Sequence, residues 1–569
     1  MPGSRTSGYR SHLNASLRFF FWNGYHVRPV IWNTNIYRIK FPPAIQGDLM
    51  ETRTIVKRNT YYDSVTLMQI SSRLVSQPGI VEAAAMMATP ANLAVMEDAG
   101  LLSAASHDVN PNDLIITFQG DDSAIEAVLV QLDEFLKERK TSGDSDGVEP
   151  PSTMVEAFAR DADANLVLIS TPGSYAASEA YRALQENRHV FMFSDNVSIE
   201  DEVALKKLAA EKGLLMMGPD CGTAIINGHP LGFANVVRRG PIGVIGASGT
   251  GLQEVTSLID RLGSGVSQAI GLGTHDLSES VGGIMMMMAI DALEADTETK
   301  VITLISKPPA ASIARKILQR VEKINKPVVV NFLGGDLREI HSHGAIPAFT
   351  LEDAAVLSVA AADDREGEPV FFTQSAEEIN QVIKSETSSL LPEQKYIRGL
   401  FSGGTFCYEA QLLLRDMIGK VYSNTPLSPD LKIAHNTRSQ AHTLLDLGSD
   451  EYTVGRPHPM IDFRTRLDFI EHETDQVDVA VILLDVVLGY GSHADPASEL
   501  APAVLAAREK NAKLGRKITF VGSICGTNAD FQKRQDQVQR LADAGIILMD
   551  SNAQAARLAG LIATRGVVA

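Results

Sequence analysis

The sequence is poor in cysteine and in long apolar runs, and each shortage excludes a class of protein. Its three cysteines are Cys221, Cys407 and Cys525, which lie too far apart for a zinc site or a disulfide framework. No run of about 18 uncharged apolar residues occurs, so the sequence predicts no membrane span. We therefore expect a soluble protein of the reducing cytoplasm, with no recognisable metal site and no membrane partner.

Basic residues are also in short supply. The chain has 51 Lys and Arg against 69 Asp and Glu, a formal net charge of -18. Because a phosphate backbone requires clustered cations, this balance argues against nucleic acid as a partner. Anionic small molecules must instead be bound locally, by loops. With 569 residues, 44% of them hydrophobic and 21% charged, the composition predicts a globular protein of several domains.

The first 49 residues differ in composition from the rest. They contain both tryptophans and carry a net charge of +5, so the remaining 520 residues carry -23. The apolar stretch FFFW at 19–22 is too short for a signal peptide. Because regular periodicity begins at Met50, we predict that 1–49 is dispensable, as the product of a mis-assigned start or as a disordered or membrane-touching tail.

From Met50 onward, strand patterns alternate with helical ones, which is typical of a multi-domain α/β protein with parallel sheets. Polar stretches rich in Gly, Pro or acidic residues separate the segments. The predicted segments are a small α/β region at 50–148, α/β domains at 149–237 and 238–362, a linker at 363–395, and a last α/β domain at 396–569.

The stretch around which the chain is organised is PIGVIGASGTGLQE at 241–254, an apolar strand that leads through a glycine loop into a helix. Glycines there are expected to adopt positive φ and to allow close approach of a ligand. Free amides and the helix dipole favour phosphate or carboxylate. The spacing matches neither the dinucleotide fingerprint nor the P-loop, so a plain connection is the equal alternative. The predicted anion site comprises Gly246, Ser248, Gly249, Thr250 and Gly251.

Two further glycine turns follow predicted strands in the last domain. The strand at 397–401 leads into Ser402-Gly403-Gly404-Thr405, and the strand at 479–484 leads through Asp485 into a turn before the helix start Asp495-Pro496. The same strand–glycine–helix arrangement predicts anion binding in each turn. The added candidates are Gly403, Gly404, Thr405, Gly489 and Gly491.

Besides the organising loop, the sequence contains the motifs GPDCGTAII at 218–226, GLGTHD at 271–276, GRPHPMID at 455–462 and LLDVVLGYGSHADPA at 483–497. Together these motifs resemble the FdrA protein family, a branch of the succinyl-CoA synthetase superfamily. The resemblance covers 50–569. It implies a Rossmann-like CoA-binding domain at 149–237, a flavodoxin-like ligase domain at 238–362 and a flavodoxin-like domain similar to the synthetase β subunit at 396–569. It also implies CoA as a cofactor and other protein subunits as partners.

The departures from the superfamily bear on the reaction. Segment 396–569 has no room for the β subunit's ATP-grasp domain. The superfamily's phosphorylated histidine has its nearest counterpart in His343, within an altered loop, and Lys307 stands where the family places a supporting glutamate. His343 is therefore either a phosphohistidine or a plain loop histidine. Lys307 suits a phosphate or a carboxylate better than it suits a neutral histidine.

Two more candidates come from the matched motifs. Cys221 resembles the cysteine beside the CoA thiol, and because no paired histidine marks a reactive thiol we interpret it as a pocket wall. His458 and Arg456 are predicted to bind an anion together, since the guanidinium fork suits carboxylate and phosphate. The alternative is that Pro457 and Pro459 only shape a structural turn.

The FdrA family is associated with oxamate carbamoyltransferase in anaerobic allantoin breakdown, a reaction that needs no ATP-grasp domain. The resemblance thus implies a subunit of a group-transfer enzyme whose ligands are a small carboxylate and a phosphate donor. The alternatives are an acyl-CoA synthetase of the succinate–CoA ligase type and a CoA-binding regulatory scaffold.

Overall fold

The computed structural model describes residues 19–22, 51–58 and parts of 60–137, followed by 151, 153–434, 438–453 and 457–568. Two compact units divide the chain. The N-terminal unit comprises 30–149 with 453–456, and the main unit comprises 1–29, 150–452 and 457–569.

The strands are β1 (Phe19–Trp22), β2 (Glu51–Lys57), β3 (Ile80–Met87), β4 (Leu114–Gly120), β5 (Leu166–Ile169), β6 (His189–Met192), β7 (Met216–Met217), β8 (Thr223–Ile226), β9 (His229–Gly232), β10 (Arg239–Gly246), β11 (Val266–Gly271), β12 (Val301–Ser306), β13 (Val328–Phe332), β14 (Ile346–Pro347), β15 (Tyr396–Phe401), β16 (Thr443–Asp446), β17 (Val479–Val487), β18 (Thr519–Cys525) and β19 (Ile546–Met549).

The helices are α1 (Asp122–Lys137), α2 (Met154–Arg160), α3 (Gly173–Gln185), α4 (Ile199–Lys212), α5 (Gly249–Arg261), α6 (Ile284–Ala295), α7 (Ala311–Val321), α8 (Leu337–Ser342), α9 (Leu351–Ala362), α10 (Ala376–Thr387), α11 (Gly404–Ile418), α12 (Asp450–Thr453), α13 (Arg464–Asp475), α14 (Pro496–Lys513), α15 (Arg534–Asp543) and α16 (Asn552–Thr564). In the described part of the chain, no helix is long and apolar enough to cross a membrane.

The N-terminal unit is built on an antiparallel sheet with the order β2-β4-β3. One core cluster joins this sheet to apolar side chains of α1, among them Ile125 and Val128. The small α/β region predicted at 50–148 contains the strand β3 and the helix α1. Its strands are antiparallel, and it belongs to a compact unit separate from the parallel sheets.

The first sheet of the main unit is parallel and has the order β1-β5-β6-β7. Its first strand was not predicted: Phe19–Trp22 pairs with Leu166–Ile169. The other residues of 1–49 lie outside the described residues, so the expectation that this segment is dispensable stays a prediction.

The other two sheets of the main unit share one topology. The strands β10 to β14 are parallel and lie in the order β14-β13-β12-β10-β11, extended by the antiparallel pair β8 and β9. The last sheet has the order β16-β15-β17-β18-β19 and is parallel throughout. Numbered within each domain, both orders read 2-1-3-4-5, the flavodoxin-like arrangement. The predicted α/β fold with parallel, flavodoxin-like sheets is confirmed.

One hydrophobic core cluster runs through both flavodoxin-like domains. It contains Val244 and Leu252 of the first domain together with Phe406 and Leu558 of the second. The segment predicted as a linker, 363–395, contains α10, whose Ile379 and Ile383 are buried in the same cluster. The two domains therefore share a continuous interior.

Candidate functional site

In an open parallel sheet, ligands bind outside the carboxyl ends of the strands, where the strand order reverses. In the first flavodoxin-like domain that point lies between β10 and β12, and in the second it lies between β15 and β17. The loop after β10, Gly246–Gly251, is loop A, and the loop after β15, Ser402–Thr405, is loop B. The Oγ atom of Ser248 and the Oγ1 atom of Thr405 lie 2.6 Å apart, so the two loops meet. We call this meeting point the loop junction.

Each loop ends in the N-terminus of a long helix. Ser248 is the N-cap of α5, and its Oγ accepts a hydrogen bond from the Gly251 N–H at 2.9 Å. Gly403 is the N-cap of α11 and has no side chain to cap it. Since the first amides of a helix have no acceptor within the helix, both termini present N–H groups and a positive dipole end at the loop junction.

The backbone conformation of the loop A glycines differs from the expected one. Gly246, Gly249 and Gly251 all lie outside the positive-φ region, so that part of the prediction is wrong. Gly246 and Gly251 are needed for space: a Cβ at Gly246 would lie 2.9 Å from Leu252 Cγ, and a Cβ at Gly251 would lie 2.5 Å from the capping Ser248 Oγ. At Gly249 the nearest atom would be Thr223 Oγ1 at 3.4 Å, so the space there is open.

Lys307 reaches the loop junction from the first domain. It follows Ser306, the last residue of β12, and its Nζ lies 5.8 Å from the ring centroid of Tyr408 on α11. Burial raises the pKa of Asp446 in the second domain, and the positive charge of Lys307 lowers it in part. The hydroxyl of Ser306 is buried and has no hydrogen-bond partner among the described residues. Lys307 thus places a cation near the first turns of α11.

Asp446 is a site residue that the sequence analysis missed. It ends β16 and is 6% exposed, and burial raises its pKa to about 6. Its Oδ1 accepts a hydrogen bond from the Gly448 N–H at 3.1 Å. Its Oδ2 faces the first residue of α11, because a Cβ added at Gly404 would lie 2.5 Å from that oxygen. The sequence carries a signal for it, since Asp446 ends an apolar strand and Gly448 follows two residues later.

Asp485 fixes the shape of loop B. Its carboxylate accepts hydrogen bonds from the backbone N–H groups of Ser402 and Gly403, both at 2.8 Å, and from the Ser402 hydroxyl at 2.9 Å. The fully buried Arg466 donates to the same carboxylate at 2.8 Å. The amides of loop B that remain for a ligand therefore belong to the first turn of α11.

His458 lies next to Asp446. Burial lowers its pKa to about 4, so the ring is neutral at physiological pH. Its Nδ1 accepts a hydrogen bond from the Met460 N–H at 3.3 Å, which leaves the proton on Nε2. That Nε2 faces Gly448, where an added Cβ would lie 2.7 Å from it and 3.3 Å from Asp446 Oδ1. Arg456, its predicted partner, lies outside the described residues.

Cys221 lines a small cavity beside loop A, together with Gly222, Thr223, Gly249 and Gly271. A Cβ at Gly222 would lie 4.0 Å from the Cα of Gly249, so two bare backbone segments face each other across it. Burial raises the pKa of the Cys221 thiol to about 12, which keeps it protonated. It can line the cavity as a neutral group, but it is not an activated nucleophile.

The structure does not bring His343 to the loop junction. His343 follows α8 and precedes β14, whose Ile346 pairs with Val329 at the amino end of β13. Loop A and Lys307 lie at the carboxyl ends of the strands, so His343 lies at the opposite edge of the sheet. Its Nδ1 is 3.0 Å from the Glu339 carbonyl oxygen, and its Nε2 is 3.7 Å from a carboxylate oxygen of Glu322.

Gly489 and Gly491 lie in a packed turn. Both adopt positive φ, 105° and 80°. A Cβ at Gly489 would lie 2.5 Å from the Ala234 carbonyl oxygen, and one at Gly491 would lie 2.7 Å from the Phe233 ring. The Gly489 N–H already donates to Gln532 Oε1 at 3.1 Å. In this turn Gly489 allows close packing against the Ala234 backbone, and Gly491 allows it against the Phe233 ring.

Comparison with known proteins places these features in a family. The protein YahF of Escherichia coli (strain K12) is 43% identical over 512 residues, which covers 90% of this chain and 98% of YahF. This chain belongs to the YahF family. The family models that match it are "CoA binding domain" at residues 237–334, "CoA-ligase" at 400–562 and "AllF, heavy metal-associated domain" at 50–151.

More distant likenesses cover parts of this YahF family member. The succinate–CoA ligase [ADP-forming] subunit alpha of Staphylococcus epidermidis (strain ATCC 35984) is 25% identical over 190 residues, which is 33% of this chain and 61% of that protein. The chain thus spans less than two thirds of that relative. The structure of ATP citrate lyase from Methanothrix soehngenii matches with a TM-score of 0.34 and 13% identity, covering 72% of this chain and 84% of that chain.

The loop junction combines the two CoA-related matches. Loop A and Lys307 fall within the CoA-binding match, whereas loop B, Asp446 and His458 fall within the CoA-ligase match. The CoA-binding match falls on the first flavodoxin-like domain, whereas the resemblance implies CoA binding at 149–237 and a ligase-type domain at 238–362. Each matched segment therefore supplies one glycine loop and one helix terminus.

The heavy-metal-associated match can be tested against the side chains present. Heavy-metal sites that select soft ions use thiolate ligands. Residues 50–151 contain no cysteine at all. Within the described residues, no group of three His, Cys, Asp or Glu side chains is placed to hold a metal. The residues of this segment do not fit a thiolate-bound metal, and we derive no chemistry from one.

Proposed function

We propose that this YahF family member is a subunit of a group-transfer enzyme that binds a phosphate-bearing donor at the loop junction and transfers a carbamoyl group to a small carboxylate of the oxamate type. The observation that carries the proposal is the 2.6 Å contact between Ser248 and Thr405, which joins two helix N-termini beside Lys307. The carbamoyl group comes from the resemblance to the FdrA family, whose reaction belongs to allantoin breakdown.

The geometry supports binding of a phosphate. First-turn amides of α5 and α11 can donate to phosphate oxygens, the two helix dipoles add their positive ends, and Lys307 supplies a full charge. The open space at Gly249 allows an oxyanion to approach the backbone closely. Donors fixed around the leaving phosphate stabilise the charge that develops as it departs, so catalysis rests on positioning and electrostatics.

The position of His343 favours direct transfer over a phosphohistidine relay. A relay needs the histidine at the phosphate site, whereas His343 lies at the opposite edge of the sheet and is held near Glu339 and Glu322. In the direct reaction the acceptor nitrogen attacks the carbonyl carbon of carbamoyl phosphate, and a new C–N bond forms. The C–O bond to phosphate breaks, and the nitrogen loses one proton to a base or to the leaving phosphate.

The test uses the complex isolated with its partner subunits. Carbamoyl phosphate and oxamate are supplied in one assay, and ATP, CoA and succinate in a parallel one, while phosphate release, the organic product and protein phosphorylation are followed. We expect phosphate and a carbamoylated acceptor in the first assay and no labelled histidine. Acyl-CoA formation with ATP-dependent labelling of His343, and no carbamoylated product, would contradict the proposal.

The alternative is an acyl-CoA synthetase, which the CoA-binding and CoA-ligase matches favour. The cavity beside Cys221 fits the thiol end of CoA, since glycine backbone and a neutral thiol form part of its wall. In that reading Gly222, Gly249 and Cys221 hold the thiol next to loop A, and bound CoA supplies the attacking sulfur. A thermal-shift comparison of CoA with carbamoyl phosphate separates the two, because a ligand at 100 times its dissociation constant adds about 2.7 kcal/mol of stability.

A further inference from the structure

Loop B is the more crowded half of the loop junction. Asp446 Oδ2 lies close to Gly404, the first residue of α11, where an added Cβ would lie 2.5 Å from it. Asp446 is 6% exposed as a residue, and this oxygen accepts no hydrogen bond among the described residues. A carboxylate in this position is itself a ligand for a helix N-terminus.

We infer that Asp446 couples anion binding at the loop junction to the uptake of one proton, because its carboxylate holds the place that an incoming phosphate-type oxyanion takes at the N-terminus of α11. The inference rests on the proposed function, since it concerns the same anion site. In the free protein, the carboxylate interacts with the α11 terminus and Lys307. When the ligand binds, a proton from solvent joins Asp446, and the resulting carboxyl can donate a hydrogen bond to the anion.

Among the groups at the loop junction, Asp446 is the one that we expect to gain or lose a proton near neutral pH. Burial raises the pKa of Asp446 to about 6, and the nearby Asp485 and Asp450 act in the same direction. Two neighbouring buried carboxylates, here Asp446 and Asp485, cannot both stay charged without a large cost in free energy unless a cation lies near them. The charged and titratable groups that face Asp446 are Lys307 after β12, Asp485 on β17, Asp450 and Tyr452 on α12, Cys407 on α11, and His458.

The neutral neighbours of Asp446 do not compete with it for the proton. Burial raises the pKa of Cys407 and of Tyr452, so both stay protonated, and burial lowers the pKa of His458 to about 4. Lys307 is the cation that Asp446 and the ligand share. A ligand that removes Lys307 from Asp446 therefore raises the proton affinity of Asp446 further.

The experiment measures sulfate binding to the purified full chain by calorimetry, because sulfate is an oxyanion that does not titrate near neutrality. For the wild-type protein we expect the affinity to fall about tenfold for each pH unit above 6. Titrations in two buffers of different ionisation enthalpy should report uptake of about one proton per sulfate at alkaline pH. Carbamoyl phosphate is then titrated to show that the substrate-like donor follows sulfate.

Asp446→Asn removes the charge and keeps the size of the side chain. At about pH 8 we expect this variant to bind sulfate roughly 100-fold more tightly than wild type, with an affinity that no longer depends on pH. Asp450→Asn is the matched control, since Asp450 is an exposed neighbour that should leave the pH dependence in place.

Proton uptake in wild type together with a flat Asp446→Asn profile supports the inference. Sulfate binding without proton uptake, or an Asp446→Asn variant with the wild-type slope, overturns it while the anion site stands. Should Asp446→Asn fail to fold, the two-buffer measurement on wild type decides alone. Failure of wild type to bind sulfate, phosphate or carbamoyl phosphate at any pH overturns the anion site itself and the inference with it.

Discussion

The two flavodoxin-like domains have the same strand order but differ in how the helix after the first glycine loop is capped and in which groups surround that loop. In the first domain, Ser248 caps α5 and the space at Gly249 is open. In the second, Gly403 leaves α11 without a side-chain cap, and two buried carboxylates, Asp446 and Asp485, crowd the loop. One topology thus supplies an open helix terminus, where we propose that a ligand binds, and an acid-lined terminus, where we infer that its binding is regulated.

The largest expected effect comes from breaking the acid-lined side. Asp485→Ala leaves Arg466 buried without its carboxylate and removes the acceptor of two backbone N–H groups of loop B. Loss of one partner from a buried ion pair costs about 3–5 kcal/mol. We expect the free energy of unfolding in urea to fall by that amount.

The matched control is Asp462→Ala, which removes a partly exposed pair with Arg464 and should cost at most about 1 kcal/mol. An equal effect of the two substitutions would mean that Asp485 does not hold loop B.

Two buried carboxyl groups at the boundary between the two flavodoxin-like domains are expected to make the stability of the protein depend on pH. Burial raises the pKa of Glu352 in α9 and of Glu409 in α11 to about 7, and neutral groups such as Ser551 and Asn552 supply their hydrogen bonds. Since the native state then binds protons more tightly than the unfolded state, stability is highest in acid. The free energy of unfolding should fall by on the order of 3 kcal/mol for each group as the pH rises from about 4.5 to about 7. Above about pH 7 it should be constant.

Glu352→Gln should remove about half of this slope, as measured by denaturant unfolding at a series of pH values. Glu366→Gln, at an exposed position, is the control and should leave the slope as it is. A profile for Glu352→Gln that coincides with wild type would show that Glu352 ionises alike in both states.

A smaller effect is expected from substitution of Gly249 in loop A, and it should change ligand affinity and not stability. Gly249→Val fills the space that faces Thr223 and Gly222, where an added Cβ makes only ordinary contacts. We expect the protein to fold with nearly wild-type stability and to bind sulfate and carbamoyl phosphate at least about tenfold more weakly, a cost of about 1.4 kcal/mol. Gly249→Ala should show a partial loss. Unchanged affinity in a folded Gly249→Val variant would reduce loop A to a connector.

The smallest effect is expected at His343. Because its ring lies at the far edge of the sheet, His343→Ala should leave carbamoyl transfer within about twofold of wild type, whereas Lys307→Ala should lower kcat/KM by about tenfold or more. Steady-state assays of both variants check this order. A His343→Ala enzyme without activity would restore the relay mechanism.

Much of the fold could be predicted from the sequence because its signals are local. Apolar strands such as 328–332 and glycine turns after them mark each strand–helix unit, and both glycine loops fall at the points where the strand order reverses. The loop junction could not be predicted as one site, since the contact between Ser248 and Thr405 joins residues 157 positions apart.

The misjudged details have physical reasons as well. A loop glycine can be required because its φ is positive or because a side chain would not fit, and the sequence alone does not distinguish the two reasons. Gly246 and Gly251 are required for packing, whereas Gly489 adopts positive φ. The role of Asp446 depends on its burial and on the charge of Lys307, which belongs to the other flavodoxin-like domain. The placement of His343 depends on a six-residue helix and a two-residue strand, elements too short to carry a clear pattern.

The core cluster that runs through both flavodoxin-like domains has a consequence for assembly. The halves of the loop junction belong to one chain and are joined by segment 363–395, so their meeting is an intramolecular event with an effective concentration of about the millimolar order. Dilution of the protein then does not take the two helix termini apart. A site whose parts lay on separate chains would lose occupancy as the protein became scarce, and this one keeps its geometry at any abundance.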